Sequence, residues 1–205
     1  MACHHKFKEY LTLDKLDFEP NTLIVGTFNP DIEGNAAEWF YGRAENNFWD
    51  VLPRLYGAES MRHANPIEWK AFCSSNKIAI TDLIQRIDDA DLNNKTHLAK
   101  LKTYSDKSIA TSFQDHSYVD LVKLLKNRPT IKHIYLTRGI GETFWRRAWR
   151  PVQNYARENN LLVQNLITPS GYAFYQQGRY NKLNSMNPLS LEDFIYRDWR
   201  SKWHF

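Results

Sequence analysis

Four stretches of the chain, residues 22–27, 77–83, 131–137 and 161–167, are apolar almost without interruption. Runs of this length, rich in β-branched residues and bounded by turn formers, predict buried strands. Between them the spacing of apolar positions turns helical. Tyr118, Leu121, Val122 and Leu125 recur at i, i+3, i+4 and i+7, predicting a helix face stopped by Pro129. Residues 141–150 predict a second helix, kinked or ended at Pro151. A last helix is predicted from Ser190, where Ser-Leu-Glu-Asp resembles a capping box and Leu191, Phe194, Ile195 and Trp199 face inward.

Strands alternating with helices predict an α/β fold, a three-layer α/β/α sandwich around a central, mostly parallel four-stranded sheet. The chain has no internal repeat, linker or low-complexity segment, so residues 1–205 are read as a single domain. Ligands of such sheets sit beyond the carboxyl ends of the strands. The segments to interrogate are therefore 27–31, 81–85, 137–141 and 168–174.

Composition adds an unusual aromatic load, with seven Trp, eleven Tyr and eleven Phe. The net charge of +4 hides an asymmetry. From residue 128 to 182 nine Lys and Arg stand against only Glu142 and Glu158, whereas the N-terminal half is mildly acidic. A basic half with interleaved aromatics suits a polyanion such as DNA, and it equally suits a solvated helix face. The opening MACHHKFKEY lacks the apolar core of a signal peptide and no apolar run is long enough to span a bilayer. A cytoplasmic monomer with no membrane partner is expected.

Two cysteines, Cys3 and Cys73, exclude a four-Cys metal site within one chain and argue against a disulfide framework. Cys3, His4 and His5 are consecutive at the terminus, which reads as a frayed end rather than a metal cage. His97, His116 and His133 lack paired spacing, and His133 falls inside a predicted strand. Gly139-Ile140-Gly141 lacks the third glycine of a dinucleotide fingerprint and offers at most a phosphate contact at a helix N-terminus. No metal and no cofactor are expected.

The first strand runs into Gly26-Thr27-Phe28-Asn29-Pro30-Asp31, and about ten residues later comes Tyr41-Gly42-Arg43-Ala44-Glu45-Asn46-Asn47-Phe48-Trp49. Asn-Pro alone is a common turn; the two motifs at this distance are far less common. Together they resemble the first motif region of mismatch-specific uracil-DNA glycosylases and of hypoxanthine-DNA glycosylases. The resemblance implies that Asn29 positions the water that attacks the sugar. It also implies that Tyr41, or its neighbour Phe40, stacks on an extruded base, with Phe28 and Asn46 beside it.

Thr168-Pro169-Ser170-Gly171-Tyr172 is similar to a loop that in those enzymes enters the DNA minor groove. That likeness gives Thr168, Ser170 and Gly171 contacts to DNA and makes Tyr172 the wedge that fills the gap left by the base. Asp82 falls where the family's second strand ends on a base-reading residue; a helix N-cap is its plain alternative. Three departures stand out. Asp31 replaces a small residue and could supply a general base, Thr168 replaces a stronger donor, and Asp82 replaces an amide. An ionised carboxylate only accepts hydrogen bonds, so Asp82 would repel uracil O4 and favour a ring N–H, as in hypoxanthine.

The resemblance thus implies a monofunctional DNA-base glycosylase, a hydrolase acting in base-excision repair on DNA with a damaged or mismatched base. Two other readings stay open: a nucleic-acid-binding module with a glycosylase-like fold and little catalysis, and an unrelated α/β enzyme acting on nucleotides.

Overall fold

In the computed structural model, which describes residues 2–205, strand β2 (Thr22–Gly26) is buried at every position. On one side it pairs with β3 (Ile78–Asp82), also buried throughout, and on the other with β6 (His133–Leu136), which pairs with β7 (Leu162–Asn165). The order is β3-β2-β6-β7 and all three pairings are parallel. Continuous apolar runs such as Leu-Ile-Val and Ile-Ala-Ile are what a strand covered on both faces requires.

The helices supply the two covers. From β2 the chain passes through α1 (Phe48–Leu55) and α2 (Pro66–Ser75) to β3, and α8 (Leu191–Lys202) packs against α1. The opposite cover holds α5 (Leu121–Asn127) and α6 (Thr143–Glu158), which touch each other. Crossovers leaving β2 and β6 in opposite directions put these helices on opposite faces, because parallel connections are right-handed. Phe48, Trp49, Trp145, Trp149 and Trp199 fill the two interfaces and are fully buried. Among the described residues no helix is long and apolar enough to cross a membrane.

A second sheet was not foreseen. Strand β4 (Ile84–Ile87), separated from β3 by Leu83 alone, pairs antiparallel with β1 (Cys3–His4) and β5 (His116–Tyr118). The terminus expected to fray is therefore an ordered strand: Cys3 and His5 have no exposed surface. Because β3 runs on into β4, the helix N-cap alternative for Asp82 fails as well. Tyr118 lies in β5 rather than on the helix predicted through it; α5 starts three residues later and buries Leu121, Leu124 and Leu125.

Helix α6 continues through Pro151 to Glu158. Its apolar positions Trp145, Trp149, Val152 and Ala156 keep one face on the sheet across the proline, and that packing outweighs the lost backbone bond. The last helix is as predicted at its start, where the Ser190 side chain accepts from Asp193 N–H; Ile195 and Trp199 are buried, Leu191 and Phe194 half-buried.

Candidate active site

The connections diverge between β2 and β6, and there a cleft of about 850 Å³ opens beyond the carboxyl ends of the strands. This is where parallel α/β sheets bind ligands. Its walls carry Gly26–Asn29 after β2, Asp82 at the end of β3, Thr137–Gly139 after β6, Thr168–Tyr172 after β7 and the Phe40–Arg43 loop. All of the residues singled out from sequence line it except Asp31. Asp31 is exposed, and its N–H donates to His4 O at 2.9 Å.

Asp82 is buried, and its Oδ2 lies 2.6 Å from His5 Nε2. Phe7 N–H donates to His5 Nδ1 at 2.9 Å, which leaves the imidazole proton on Nε2 and makes His5 the donor to Asp82. The remaining oxygen, Oδ1, approaches Gly26 together with the Tyr41 hydroxyl. A Cβ at Gly26 would sit 2.1 Å from Asp82 Oδ1 and 2.6 Å from Tyr41 Oη, so only glycine fits there.

Tyr41 holds an uncommon backbone, φ 58°, which costs a non-glycine residue roughly 1–2 kcal/mol. The conformation lays its ring on Phe48, 3.9 Å between centroids and 2° from parallel, while its hydroxyl meets Thr137 Oγ1 at 2.9 Å. Burial, reinforced by the Asp82 charge, pushes the Tyr41 phenol well above its ordinary value. One face of the half-buried ring is backed by Phe48, and the residue lines the cleft.

Asn29 is held by a residue that sequence reasoning missed. Asn35 is buried; its Oδ1 accepts from Ala37 N–H at 3.1 Å, so its Nδ2 must be the donor to Asn29 Oδ1 at 2.6 Å and to Pro30 O at 2.7 Å. The network fixes the Asn29 amide with Oδ1 toward Asn35 and Nδ2 as its other end. Main-chain bonds from the N-terminal segment fix the loop itself: Lys6 N–H donates to Asn29 O at 2.8 Å, and His5 bridges to Pro30. Phe28 packs edge-on against His5, 5.7 Å between ring centroids. The same five residues, Cys3 to Phe7, thus grip both the Asn29 loop and Asp82.

On the far lip, Asn46 is buried and its Oδ1 accepts from Phe48 N–H at 2.9 Å, starting α1. Asn47 N–H donates to Pro169 O at 2.9 Å and ties the 168–172 loop to that helix. Within the loop Thr168 Oγ1 and Ser170 Oγ are 2.9 Å apart. Gly171 is exposed and so is Tyr172, at 57%.

The structure adds Asp106, at the start of α4 (Asp106–Ser112), to the cleft wall. Its carboxylate accepts from Thr27 Oγ1 at 2.6 Å and from the Arg138 guanidinium at 2.7 Å. Burial raises the Asp106 pKa although Arg138 opposes the shift. Arg138 is buried over the Trp145 ring at 4.1 Å, so it braces the wall rather than facing a ligand. Arg43 stacks on Tyr104 at 4.1 Å, and its Nη1 is buried without a hydrogen-bond partner. Burial lowers its pKa. Nothing local in the sequence marks Asp106, and Arg43, although it stands inside the second quoted motif, finds its Tyr104 partner only when the fold brings distant segments together. Among the described residues no group of three or more His, Cys, Asp or Glu could hold a metal ion.

No protein-family model matches the chain, and no curated protein matches it. Among solved structures, the solution NMR structure of a protein from Methanosarcina acetivorans, described provisionally as a uracil DNA glycosylase, is similar to it. The likeness covers 92% of this chain and 94% of that one, with a TM-score of 0.55 and 18% sequence identity. The two proteins share a fold.

Proposed function

We propose that this protein is a DNA glycosylase of the uracil-DNA glycosylase superfamily, hydrolysing the N-glycosidic bond of a flipped, deaminated base. The observation that carries the reading is the convergence of Asn29, Tyr41, Asn46, Asp82 and the 168–172 loop on one cleft. The fold shared with the Methanosarcina acetivorans protein supports it.

The reaction breaks the C1′–N bond with its electron pair passing to the base, while a water oxygen bonds to C1′ and releases a proton to solvent. Asn29 cannot take that proton, since an amide is no base at neutral pH. Its role is to orient the water with an amide held by Asn35. Asp31, exposed and outside the cleft wall, is dropped from the set of acting residues. Tyr41, braced by Phe48, offers a flat face to the extruded base, with Phe28 and Asn46 beside it. Ser170 and Gly171 meet phosphate, Thr168 shapes their turn, and Tyr172 takes the place of the base in the stack.

Asp82 Oδ2 accepts a hydrogen bond from His5 Nε2–H, and the carboxylate presents an acceptor to the base. The ring N–H of uracil is flanked by two carbonyls and that of hypoxanthine by one, so the carboxylate repels hypoxanthine less. Hypoxanthine is therefore the favoured substrate.

The test is a panel of labelled oligonucleotides carrying uracil, hypoxanthine, xanthine or mismatched thymine. Alkali-cleavable abasic product from hypoxanthine, and less from uracil, is expected. Binding without product from any of them would leave the alternative, a non-catalytic DNA-binding module, which the position of Asp31 away from the cleft favours.

A further inference from the structure

Among the described residues, five of the eight exposed large apolar side chains fall within fifteen residues of one another: Tyr172, Phe174, Tyr175, Leu183 and Met186. The first three line the mouth of the cleft. Exposures of 57%, 61% and 72% mean that these rings have no packing role inside the fold. Helix α7 (Phe174–Leu183) carries the pattern onward. Tyr175, Arg179 and Lys182 lie at i, i+4 and i+7, one stripe on its outer face. The opposite side of the helix is pinned, with Gln177 Nε2 and Asn181 Nδ2 donating to Leu189 O at 2.8 and 3.0 Å. From residue 159 to 191 the chain contains no Asp or Glu, and neither Arg179 nor Lys182 forms an ion pair among the described residues.

We infer that this stripe is a binding track for single-stranded DNA, holding the nucleotides that flank the one in the cleft. The track's place beside the cleft rests on the proposed glycosylase reading, and its chemistry on the surface itself. A duplex that has extruded one base opens one gap, which takes one wedge, Tyr172. Its other bases remain paired and stacked and leave Phe174 and Tyr175 no ring face. In a single strand every base has an open face, and aromatic side chains beside cations, on a helix that carries no acidic residue of its own, are what such a strand binds. A helix carries the track at about 10 Å from Tyr175 to Lys182, so no backbone has to be ordered when a strand binds.

The test uses the full chain, a fluorescein-labelled undamaged oligothymidine and a duplex containing it, followed by anisotropy at low and moderate salt. Wild-type protein should bind the single strand more tightly than the duplex. Phe174→Ala and Tyr175→Ala should each weaken single-strand binding about five- to a hundredfold, and Arg179→Ala should flatten the salt dependence. The melting temperature should hold, since the rings are exposed. Equal affinity for duplex and single strand, or variants that bind the strand as wild type does, overturns the inference. So does a wild-type dimer in sedimentation that Tyr175→Ala dissolves, because the surface would then belong to a second copy. Undamaged DNA separates the two questions. Strand binding without excision on the damaged panel keeps the track and removes the glycosylase reading; excision with no strand preference does the reverse.

Discussion

The imidazole of His5 and the carboxylate of Asp82 meet at 2.6 Å although they stand 77 residues apart in the chain. Both are buried, and Phe7 N–H fixes which ring nitrogen carries the proton. His5→Phe should leave the carboxylate short of a donor and cost about 1.5–3 kcal/mol, the scale of a hydrogen bond to a charged group. Gln at the same place can put an amide N–H near the lost Nε2, so His5→Gln should retain much of that stability. It should also retain the preference for hypoxanthine over uracil, which His5→Phe should erode. Denaturant unfolding and excision rates on both bases measure this. Equal losses for Phe and Gln in both assays would reduce His5 to a packing residue.

This pair also marks where sequence and structure part. The parallel sheet was legible because residues 22–27 and 77–83 are apolar without alternation, and only burial on both faces calls for that. The cleft loops followed, since ligands gather beyond strand ends. His5 was unreadable by the same logic: two strand residues near a terminus carry no periodicity, and its partner is set by tertiary pairing of β1 with β4. Asn35 and Asp106 failed for a related reason. Their hydrogen-bond partners lie across loops whose geometry no residue pattern fixes.

Asn35 allows the orientation of Asn29 to be tested without entering the cleft. Asn29→Ala should lower excision by about 10²–10³, the scale of one oriented polar group beside a developing charge. Asn35→Asp is nearly isosteric but replaces the donor to Asn29 Oδ1 with an acceptor. It should slow excision by less than Asn29→Ala does, with KM little changed, because Asn29 is turned rather than removed. Single-turnover rates would decide; an Asn35→Asp enzyme with wild-type rates means that the amide orientation does not matter.

The two cysteines should be silent in the folded protein. Burial pushes both thiols up to about 12 from 9.0; at Cys3 an Asp31 backbone hydrogen bond works against the shift. A thiol with a higher pKa in the folded state holds its proton more tightly there. Its contribution to stability is therefore fully present below pH 9 and lost as pH climbs from about 9 toward 12. A thiol-reactive dye at pH 8 should label neither cysteine in native protein and both in denaturant. Rapid native labelling at Cys3 would contradict the ordered β1 strand.

Gly26 gives the sharpest single-atom test of the cleft. It ends β2, where the main chain must pass beneath the Asp82 carboxylate and the Tyr41 hydroxyl, and an added Cβ meets them at 2.1 and 2.6 Å. Neither neighbour can retreat freely: Asp82 is tied to His5, and Tyr41 is stacked on Phe48 and bonded to Thr137. Overpacking of this kind costs roughly 1–3 kcal/mol, and the displaced groups are the ones proposed to read the base. Gly26→Ala should therefore fold with reduced stability and lose excision on every base. Combining it with Tyr41→Phe removes one of the two clashes and should recover part of the stability without restoring activity. Thermal unfolding of the single and double variants measures that coupling, and additive losses would mean that the two side chains do not converge on Gly26.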